Sequence, residues 1–379
     1  MRRIIMIKVG FVGWRGMVGS VLMQRMVEES DFALFEPVFF STSQVGKNGP
    51  EILQQKTLLH DAYSTHDLFE MDMILSCQGG TFTEDIYPKL KKMGWHGHWI
   101  DAASTLRMTD DAVIVLDPIN QKTIDEAYNR GNKTWVGGNC TVSLMLLAIH
   151  GLIKENLIQW VSSMTYQAAS GAGAQNMREL IIQMGELSSS VKTELADPQS
   201  DILKVDQKIL STMHSSSFST KNFSVPLAGN LIPWIDQDLN DGRSKEEWKG
   251  QVESNKILNG SYDPINVDGL CVRIGAMRSH SQALTIKLNK RLNIEEINEL
   301  IDSGNQWVNL IPNSREYSIK KLSPAAVSGK LDIAVGRVRM LNLEDNIISA
   351  FTVGDQLLWG AAEPLRRILR ILINKAQST

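Results

Sequence analysis

The chain has 379 residues, of which 43% are apolar and 21% are charged, and its net charge at neutral pH is −3. This length exceeds what one hydrophobic core usually serves, so we expect two domains. The mild negative charge, without a basic tract, argues against nucleic acid as a partner, and no apolar run is long enough to cross a membrane. Three cysteines without a C-x-x-C pair favour a reducing, cytoplasmic location.

The first predicted elements are a strand, a glycine-rich turn and a helix. Residues 4–9 are apolar and β-type, glycines recur over residues 10–19, and Val18, Leu22 and Met26 follow a helical period. Glycines allow the backbone to approach a pyrophosphate closely, and a helix start offers it N–H donors. The G-x-x-G-x-x-G spacing therefore predicts a dinucleotide site, with a glycine-rich turn that binds no ligand as the alternative.

The end of the second predicted strand, 37–40, indicates which cofactor is preferred. A site for NAD usually has a carboxylate there to hold the ribose 2′-hydroxyl, and a carboxylate would repel the 2′-phosphate of NADP. Here the strand is followed by the hydroxyl residues Ser41, Thr42 and Ser43, and Arg15 lies in the glycine-rich turn. These residues predict NADP, and the alternative is that residues 41–43 are only a turn.

Strands and helices continue to alternate through the first third of the chain. The predicted strands are 71–76, 99–100, 113–116 and 134–136, and the predicted helices are 83–92 and 121–129. Repeated β-α pairs predict a parallel sheet with helices on both faces. Ligands of such sheets bind at the carboxyl ends of the strands, so we expect Gln78 and Arg107, which follow predicted strands, to line the cleft.

Cys140 is the strongest candidate for a reactive group. It follows Gly137, Gly138 and Asn139 and precedes an apolar run, 144–149, which places its thiol at a helix N-terminus. Unpaired N–H groups and the helix dipole favour the nucleophilic thiolate there. Most free cysteines are instead small core residues, and the local sequence leaves both interpretations open.

The second half of the chain offers further polar candidates. Its first predicted elements are a strand, a small-residue turn and a helix, at residues 160–169, 170–174 and 175–187. Gln167, at the end of that strand, either orients a substrate or is a satisfied buried amide. Glu246 and Lys249 lie at a predicted helix start, where the residues alone favour a solvated helix face.

Arg273 and His280 are close in sequence but not on one face of a strand. Arg273 belongs to a predicted strand, 271–275, and His280 follows seven positions later. Side chains alternate along a strand, so a bend near Gly275 or a turn between two strands is needed to bring both to one cleft. No spacing of His, Cys or carboxylate residues completes a metal site, so we predict no metal.

The end of the chain predicts an apolar terminal helix. Apolar residues between 357 and 372 follow a helical period, and Gly360 and Pro364 are expected to kink or restart the helix. A helix this apolar must pack against another element, and the face of the first sheet is a candidate.

Five segments together resemble the aspartate-semialdehyde dehydrogenase family in its bacterial form. They are residues 10–19, 137–143, 166–171, 229–234 and 351–364, and the resemblance extends over nearly the whole chain. It implies a Rossmann-type parallel-sheet dinucleotide domain, 1–138, completed by a C-terminal helix, 358–379. It also implies an α+β catalytic and dimerisation domain, 139–357, in a glyceraldehyde-phosphate-dehydrogenase-like fold, and a cytoplasmic homodimer.

The same resemblance implies an activity. The enzyme would reversibly convert L-aspartyl 4-phosphate to L-aspartate 4-semialdehyde with NADPH and release phosphate, a step toward lysine, methionine, threonine and diaminopimelate. Cys140 would be the nucleophile, His280 the acid/base, and Gln167 the residue that helps to orient the thioester.

The resemblance implies the binding residues as well. Arg273 would hold the substrate α-carboxylate and Glu246 its α-amine, and Arg107 and Lys249 would bind phosphate. The cofactor contacts would be Gly10, Gly13, Arg15, Gly16, Met17, Val18, Thr42, Ser43, Gln78, Ser170, Gly171, Ala172, Gly173, Ala174, Pro198 and Gln356.

Elementary chemistry supports these roles without the family. A carboxylate is a poor acceptor of hydride, whereas a thiolate can capture an acyl phosphate as a reducible thioester. The guanidinium fork of Arg273 fits a planar carboxylate. The alternatives are a related thioester dehydrogenase, such as an N-acetylglutamyl-phosphate reductase or a glyceraldehyde-phosphate type, and a cofactor-sensing binding protein. The first alternative can be distinguished at Glu246. An acetylated amine carries no positive charge, so an N-acetylglutamyl substrate would not need the Glu246 carboxylate.

Overall fold

The computed structural model describes residues 6–52 and 57–378, and within these ranges the strands form two sheets of seven strands each. Residues 4 and 5 of the first predicted strand lie outside the described residues. The two sheets account for the expected pairing of a Rossmann-type half with an α+β half.

The first sheet is parallel throughout, as the alternating strands and helices predict. Its order is β3-β2-β1-β4-β5-β7-β6, and every neighbouring pair is parallel. The strands are β1 Lys8–Val12, β2 Glu36–Ser41, β3 Leu59–Asp61, β4 Met73–Ser76, β5 His98–Asp101, β6 Ala112–Val115 and β7 Thr134–Gly137. The helices are α1 Met17–Glu28, α2 Thr65–Phe69, α3 Gly80–Lys92 and α4 Asp117–Asn129. The strand order reverses between β1 and β4, where such sheets open a ligand crevice.

The glycine-rich turn begins later than the sequence suggests. Strand β1 extends to Val12, so Gly10 is a strand residue, packed where a Cβ would lie 3.0 Å from both Met71 and Phe40 side-chain atoms. The predicted boundary of this strand is therefore wrong, because an apolar run containing a glycine does not show where pairing ends. The turn starts at Gly13, whose φ of +74° favours glycine and whose Cβ would lie 2.5 Å from the backbone of Cys77.

The second sheet is mixed, with order β12-β13-β14-β11-β8-β10-β9. Its strands are β8 Ile158–Gln167, β9 Leu231–Ile232, β10 Asn266–Ile274, β11 Ser279–Leu288, β12 Val308–Leu310, β13 Ile333–Met340 and β14 Ile347–Asp355. The helices are α5 Cys140–Ala148, α6 His150–Lys154, α7 Ala174–Ser190, α8 Lys192–Ala196, α9 Ile202–Met213, α10 Lys245–Leu258, α11 Ile294–Asp302, α12 Arg315–Lys321, α13 Pro324–Val327 and α14 Glu363–Ser378. Central strand β8 lies between the parallel β10 and the antiparallel β11.

Helix α5 is the structural centre of the molecule. It directly follows β7 of the first sheet, and every residue from Thr141 to Ala148 is buried. A helix that is apolar on all sides must be surrounded by protein. Its side chains share one hydrophobic core with Ile114 of the first sheet and with Leu284 and Ile348 of the second. The start of α5 is therefore held rigidly between the two sheets.

The C-terminal helix packs against the first sheet. A π-helical turn, Leu358–Ala362, precedes α14, so the helix restarts near Gly360 and Pro364 as the sequence predicts. The apolar side chains of Leu365, Leu369 and Leu372 belong to the same hydrophobic core as residues of β1 and β2. Within the described part of the chain, no helix combines the length and the apolar character that crossing a membrane requires.

Candidate active site

Cys140 is the first residue of α5, as predicted. The Asn139 side chain caps the helix, because its Oδ1 accepts hydrogen bonds from the backbone N–H groups of Thr141 at 2.9 Å and Val142 at 3.2 Å. Cys140 as a residue is half-buried, and its sulfur lies 3.2 Å from His280 Nε2. The structure thus contradicts the alternative that Cys140 is a core residue packed only in hydrocarbon.

A turn between β10 and β11, at residues 275–278, brings Arg273 and His280 to the same stretch of backbone after β8. The peptide of Ala168 links the two side chains: its N–H donates to His280 Nδ1 at 2.9 Å, and its carbonyl accepts from Arg273 Nη1 at 2.6 Å. A Cβ at Gly171 would lie 2.9 Å from Arg273 Nη1 and 3.2 Å from His280 Nε2. Gly171 therefore permits the close approach of the loop after β8 to both side chains.

The Ala168 hydrogen bond decides the tautomer of His280. A backbone N–H only donates, so Nδ1 must be the unprotonated nitrogen, and a neutral ring carries its proton on Nε2. Burial lowers the pKa of His280 well below its ordinary value, and Arg273 adds to this effect. His280 is therefore neutral at physiological pH and donates its Nε2–H toward the Cys140 sulfur.

Glu246 and Lys249 are buried at the start of α10, so the interpretation of a solvated helix face is wrong. The Lys249 ammonium donates to Glu246 Oε2 at 3.0 Å and to Asp236 Oδ2 at 2.6 Å. The other oxygen of Glu246 accepts from Asn139 Nδ2 at 2.9 Å and from Gln167 Nε2 at 3.2 Å. Lys249 and these amide donors hold the pKa of Glu246 below its ordinary value although burial alone would raise it.

Gln167 is positioned by the register of β8 and β10, which pairs it with Arg273. Its amide nitrogen also contacts Thr165 Oγ1 at 3.2 Å. The amide is thus satisfied in the buried state, and it lies between Glu246, which it bonds, and Arg273, its neighbour on β10. Gln167 is therefore a satisfied buried amide, and this does not exclude a role in orienting a substrate.

Arg107 connects the first sheet to the start of α5. Its Nε donates to the Gly137 carbonyl at 2.6 Å, and its Nη1 lies 3.2 Å from Glu253 Oε1. The other Glu253 oxygen accepts the backbone N–H of Asn139 at 2.7 Å. Arg107 therefore holds both ends of the Gly137–Asn139 segment, one of them through Glu253.

The resting charge state of Cys140 differs from the sequence expectation. The helix start predicts a lowered thiol pKa, but burial and, to a smaller extent, the Glu246 carboxylate raise the pKa of Cys140 to about 12. Arg273, Arg107 and Lys249 act in the opposite direction. Moving a thiolate out of water costs more free energy than its attraction to these three cations recovers, so the thiol is protonated at neutral pH.

Five of the nine predicted cofactor residues of the first domain line one cavity at the carboxyl ends of β1 and β4. Its volume is about 320 Å³, and its lining includes Gly13, Arg15, Gly16, Thr42 and Gln78. Ser41 ends β2 and also stabilises the turn that follows, because its hydroxyl accepts hydrogen bonds from the backbone N–H groups of residues 43 and 44. Met17 and Val18 open α1 directly beside the turn.

The other predicted cofactor residues belong to the second half. Ser170 and Ala172 lie in a short 3-10 turn after β8, and Gly173 and Ala174 begin α7. Gln356 is buried, and its Oε1 has no hydrogen-bond partner. Pro198 is exposed between α8 and α9, and no described hydrogen bond or salt bridge connects it to the other predicted residues.

Sequence reasoning missed Glu253, Asp236 and the role of Asn139. Glu253 lies seven residues after Glu246, which is two turns along one helix face, and that spacing is the signal that could have found it. Asn139 is a preferred helix cap residue directly before a predicted helix. Asp236 has no such signal, because a long loop delivers it to Lys249. Residues 6–52 and 57–378 contain no group of three His, Cys, Asp or Glu side chains that could hold a metal.

A parallel sheet with a glycine turn at its crevice, joined by the helix that begins at Cys140 to a second sheet that carries His280, is the plan of a dehydrogenase with a cysteine at its site. The family models described as semialdehyde dehydrogenase NAD binding domain and semialdehyde dehydrogenase dimerisation domain match residues 8–127 and 149–359. The chain belongs to the semialdehyde dehydrogenase family.

Solved structures agree with this assignment. Aspartate semialdehyde dehydrogenase from Francisella tularensis is 53% identical, with a TM-score of 0.92 over 97% of this chain and 100% of that chain. This confirms the resemblance to aspartate-semialdehyde dehydrogenases. Aspartate semialdehyde dehydrogenase II from Vibrio cholerae, complexed with ASA, is 24% identical with a TM-score of 0.78 over 97% and 98% of the two chains. The Candida albicans enzyme with NADP is 16% identical with a TM-score of 0.62 over 98% and 99%. At these identities the similarity shows the fold alone.

Proposed function

We propose that this enzyme interconverts L-aspartyl 4-phosphate and L-aspartate 4-semialdehyde with NADP(H) through a thioester on Cys140. The observation that carries the proposal is a Cys–His pair that lies close to both a guanidinium and a carboxylate. Arg273 supplies the guanidinium and Glu246 the carboxylate. A free amino acid carries one charge of each sign, and these two side chains complement both.

The chemistry at Cys140 needs no net proton from the enzyme. The Cys140 sulfur attacks the acyl carbon, the sulfur–carbon bond forms, and the carbon–oxygen bond to phosphate breaks, so that the thiol proton leaves with phosphate as monohydrogen phosphate. NADPH, when bound, would supply the hydride that reduces the thioester carbon. The resulting oxyanion re-forms its carbonyl and expels the Cys140 thiolate, which gives the semialdehyde, and the thiolate regains its proton from water.

His280 supports this cycle mainly as a hydrogen-bond donor. The family resemblance implies an acid/base, but its Nε2–H tautomer already presents a proton toward the sulfur and the developing oxyanion. Protonating both ring nitrogens would set Nδ1–H against the Ala168 N–H. The Cys140 backbone N–H, which the Asn139 side chain does not take, adds a second donor at the helix start. These donors stabilise negative charge on sulfur and oxygen in turn.

The phosphate subsite that we propose combines Arg107 and Lys249. Both cations are buried near Cys140, and each already contacts a carboxylate: Glu253 for Arg107, Glu246 and Asp236 for Lys249. These contacts hold the cations in place and balance their charge, so phosphate would have to displace carboxylate contacts in order to bind. Binding would therefore rearrange hydrogen bonds rather than order mobile side chains.

The described residues fit a nicotinamide dinucleotide. The cavity at Gly13 has room for a backbone-bound pyrophosphate, and Gln356, whose Oε1 has no partner, packs beside Gly360, which itself packs against Cys140. A carboxamide N–H₂ would satisfy that buried oxygen. Arg15 and Thr42 carry no negative charge, which supports NADP over NAD. When bound, the cofactor supplies or accepts hydride.

We further propose a cytoplasmic homodimer with the second domain at its interface, on the pathway to lysine, methionine, threonine and diaminopimelate. The family model that matches residues 149–359 is described as a dimerisation domain, which supports this arrangement. We also retain the proposed domain division, 1–138 with 358–379 against 139–357, which the packing of α14 on the first sheet supports.

The test is NADPH formation from L-aspartate semialdehyde and phosphate, with NADP and NAD assayed in parallel. Cys140→Ala should lower kcat at least about 10³-fold, because no other group can form the thioester. Cys271→Ala, at a buried cysteine of β10, is the matched control and should keep most of the activity. Substantial turnover by Cys140→Ala would refute the thioester route.

A second variant tests the substrate class. Glu246→Gln removes the charge that complements an α-amine while keeping the shape, so the KM for aspartate semialdehyde should rise. An unchanged KM, or better turnover of N-acetylglutamate semialdehyde than of aspartate semialdehyde, would favour the N-acetylglutamyl-phosphate reductase alternative.

A further inference from the structure

A buried hydrogen-bond chain lies at the end of the first sheet opposite to Cys140. Trp135 Nε1 donates to His98 Nδ1 at 3.0 Å, and His98 Nε2 lies 3.2 Å from the Lys133 ammonium nitrogen. Lys133 is partly exposed and immediately precedes β7, whereas Cys140 follows the other end of that strand. The proposed function of the enzyme uses none of these three side chains.

The chain has one consistent assignment of protons. An indole N–H only donates, and Trp135 is fully buried, so its N–H must bond to an unprotonated His98 Nδ1. Leaving it unpaired would cost about 1–3 kcal/mol. A neutral His98 ring then carries its proton on Nε2, and this N–H points at Lys133. A hydrogen bond there needs a lone pair on the lysine nitrogen, which only the neutral amine has.

The surroundings of Lys133 also favour the neutral amine. Burial lowers the pKa of Lys133, and the nearby charge of Lys91 on α3 lowers it further. Burial likewise lowers the pKa of His98 to about 3, so the ring stays neutral. Tyr128 of α4 stacks on His98 with ring centroids 5.9 Å apart.

The remaining charged groups near this end of the sheet do not reverse the preference of Lys133 for the neutral amine. On the far side of Tyr128, Lys375 of α14 contacts the ring and pairs with Asp125 at 2.8 Å. Lys133 faces an open cleft of about 590 Å³ whose titratable lining residues also include Glu70, Asp72, His96 and His98. The cleft gives small molecules access to the amine.

We propose that Lys133 is a nucleophilic amine at neutral pH and a site of acylation by acyl phosphates. The Nζ amine leaves its hydrogen bond with His98 and turns toward the cleft, and its lone pair attacks the acyl carbon and forms an amide bond. The carbon–oxygen bond to phosphate breaks, phosphate leaves with the electron pair, and the surplus proton on nitrogen passes to water. An acyl phosphate suits this amine because its leaving group is anionic and Lys91 provides a nearby cation.

The test uses the whole enzyme with acetyl phosphate at pH 7.5 and peptide mass spectrometry. Lys92, an exposed lysine of α3, is the matched reference in the same molecule. Each unit by which a pKa is lowered gives about tenfold more free amine, part of which lower nucleophilicity offsets, so Lys133 should be acylated at least about threefold faster than Lys92. An equal or slower rate at Lys133 would overturn the proposal.

Two variants sharpen the result. Trp135→Phe removes the indole N–H, so His98 can move its proton to Nδ1 and accept from a charged Lys133. In this variant the acylation rate of Lys133 should fall to that of Lys92. If both lysines are instead acylated at the same rates as in the unaltered enzyme, the proton assignment is wrong. Lys133→Gln should leave turnover of the semialdehyde unchanged, because about four strand residues separate it from Cys140. If Trp135→Phe does not fold, the comparison of Lys133 with Lys92 in the unaltered enzyme still decides the proposal.

Discussion

Asn139 performs two tasks that two substitutions can separate. Its Oδ1 caps α5, and its Nδ2 donates to Glu246 Oε1 at 2.9 Å. Asn139→Ala removes both functions. Asn139→Asp keeps an oxygen for the cap, since Asp and Asn cap helices equally well, but sets a second oxygen against Glu246. The first variant should lose stability and substrate binding, and the second should lose mainly substrate binding.

The magnitudes follow from the contacts. Loss of the cap costs about 1–2 kcal/mol of unfolding free energy. Loss of a hydrogen bond to a charged carboxylate costs about 1.5–3 kcal/mol, part of which water replaces. Asn139→Ala should therefore lower the unfolding free energy by about 2–4 kcal/mol. In Asn139→Asp, two carboxyl groups about 3 Å apart cannot both ionise, so they share a proton that is lost as the pH rises.

Urea unfolding and steady-state kinetics measure the two effects. The KM of Asn139→Asp for aspartate semialdehyde should exceed that of the unaltered enzyme, and the difference should widen from pH 6 to pH 8. Its unfolding free energy at pH 6 should stay within about 1 kcal/mol of the unaltered value. The reasoning fails if Asn139→Ala unfolds at the same urea concentration as the unaltered enzyme, or if the KM of Asn139→Asp is unchanged at both pH values.

Three further predictions concern other contacts. Gly171→Ala should lower kcat at least about tenfold with little loss of stability, because its Cβ would displace Arg273 and His280; kinetics with thermal unfolding as control would detect this. His280→Gln should retain more activity than His280→Ala, which loses roughly 10²–10⁴-fold, because an amide can still donate to sulfur; equal losses would favour true proton transfer. Burial lowers the pKa of His98 to about 3, so unfolding takes up a proton below about pH 6.5. Stability should therefore fall from pH 6.5 toward pH 4, and urea titrations that show a rise instead would contradict the burial argument.

Local patterns predicted the elements well but their ends less well. The alternation of strands and helices predicted the parallel sheet, yet β3 and α2 were not predicted because each is short and carries little periodicity. Helix α7 was predicted from apolar spacing, but Ile181 and Met184, two of the residues that define the spacing, are exposed. Periodicity reports that one face is apolar, and only packing decides how much of that face is covered.

The features of the candidate active site also fall into those that the local sequence predicted and those that only long-range contacts set. The position of Cys140 at a helix start and the glycine turn at Gly13 follow from backbone requirements that a few neighbouring residues express. The contacts of Glu253 and Asp236 join residues far apart in the chain, so no local pattern announces them. The sign of the shift in the thiol pKa also depends on burial by distant segments, and there the local expectation was wrong.

The amino-acid sequence by itself determined many of the strands and helices, the parallel sheet of the first half and the identity of the reactive side chains, because these depend on periodicity and on chemistry within a few residues. The tertiary structure alone decided which side chains meet, which proton each histidine carries and how charge is distributed around Cys140. Those properties depend on distance and on exclusion of water, and both are set only when separate parts of the chain pack together.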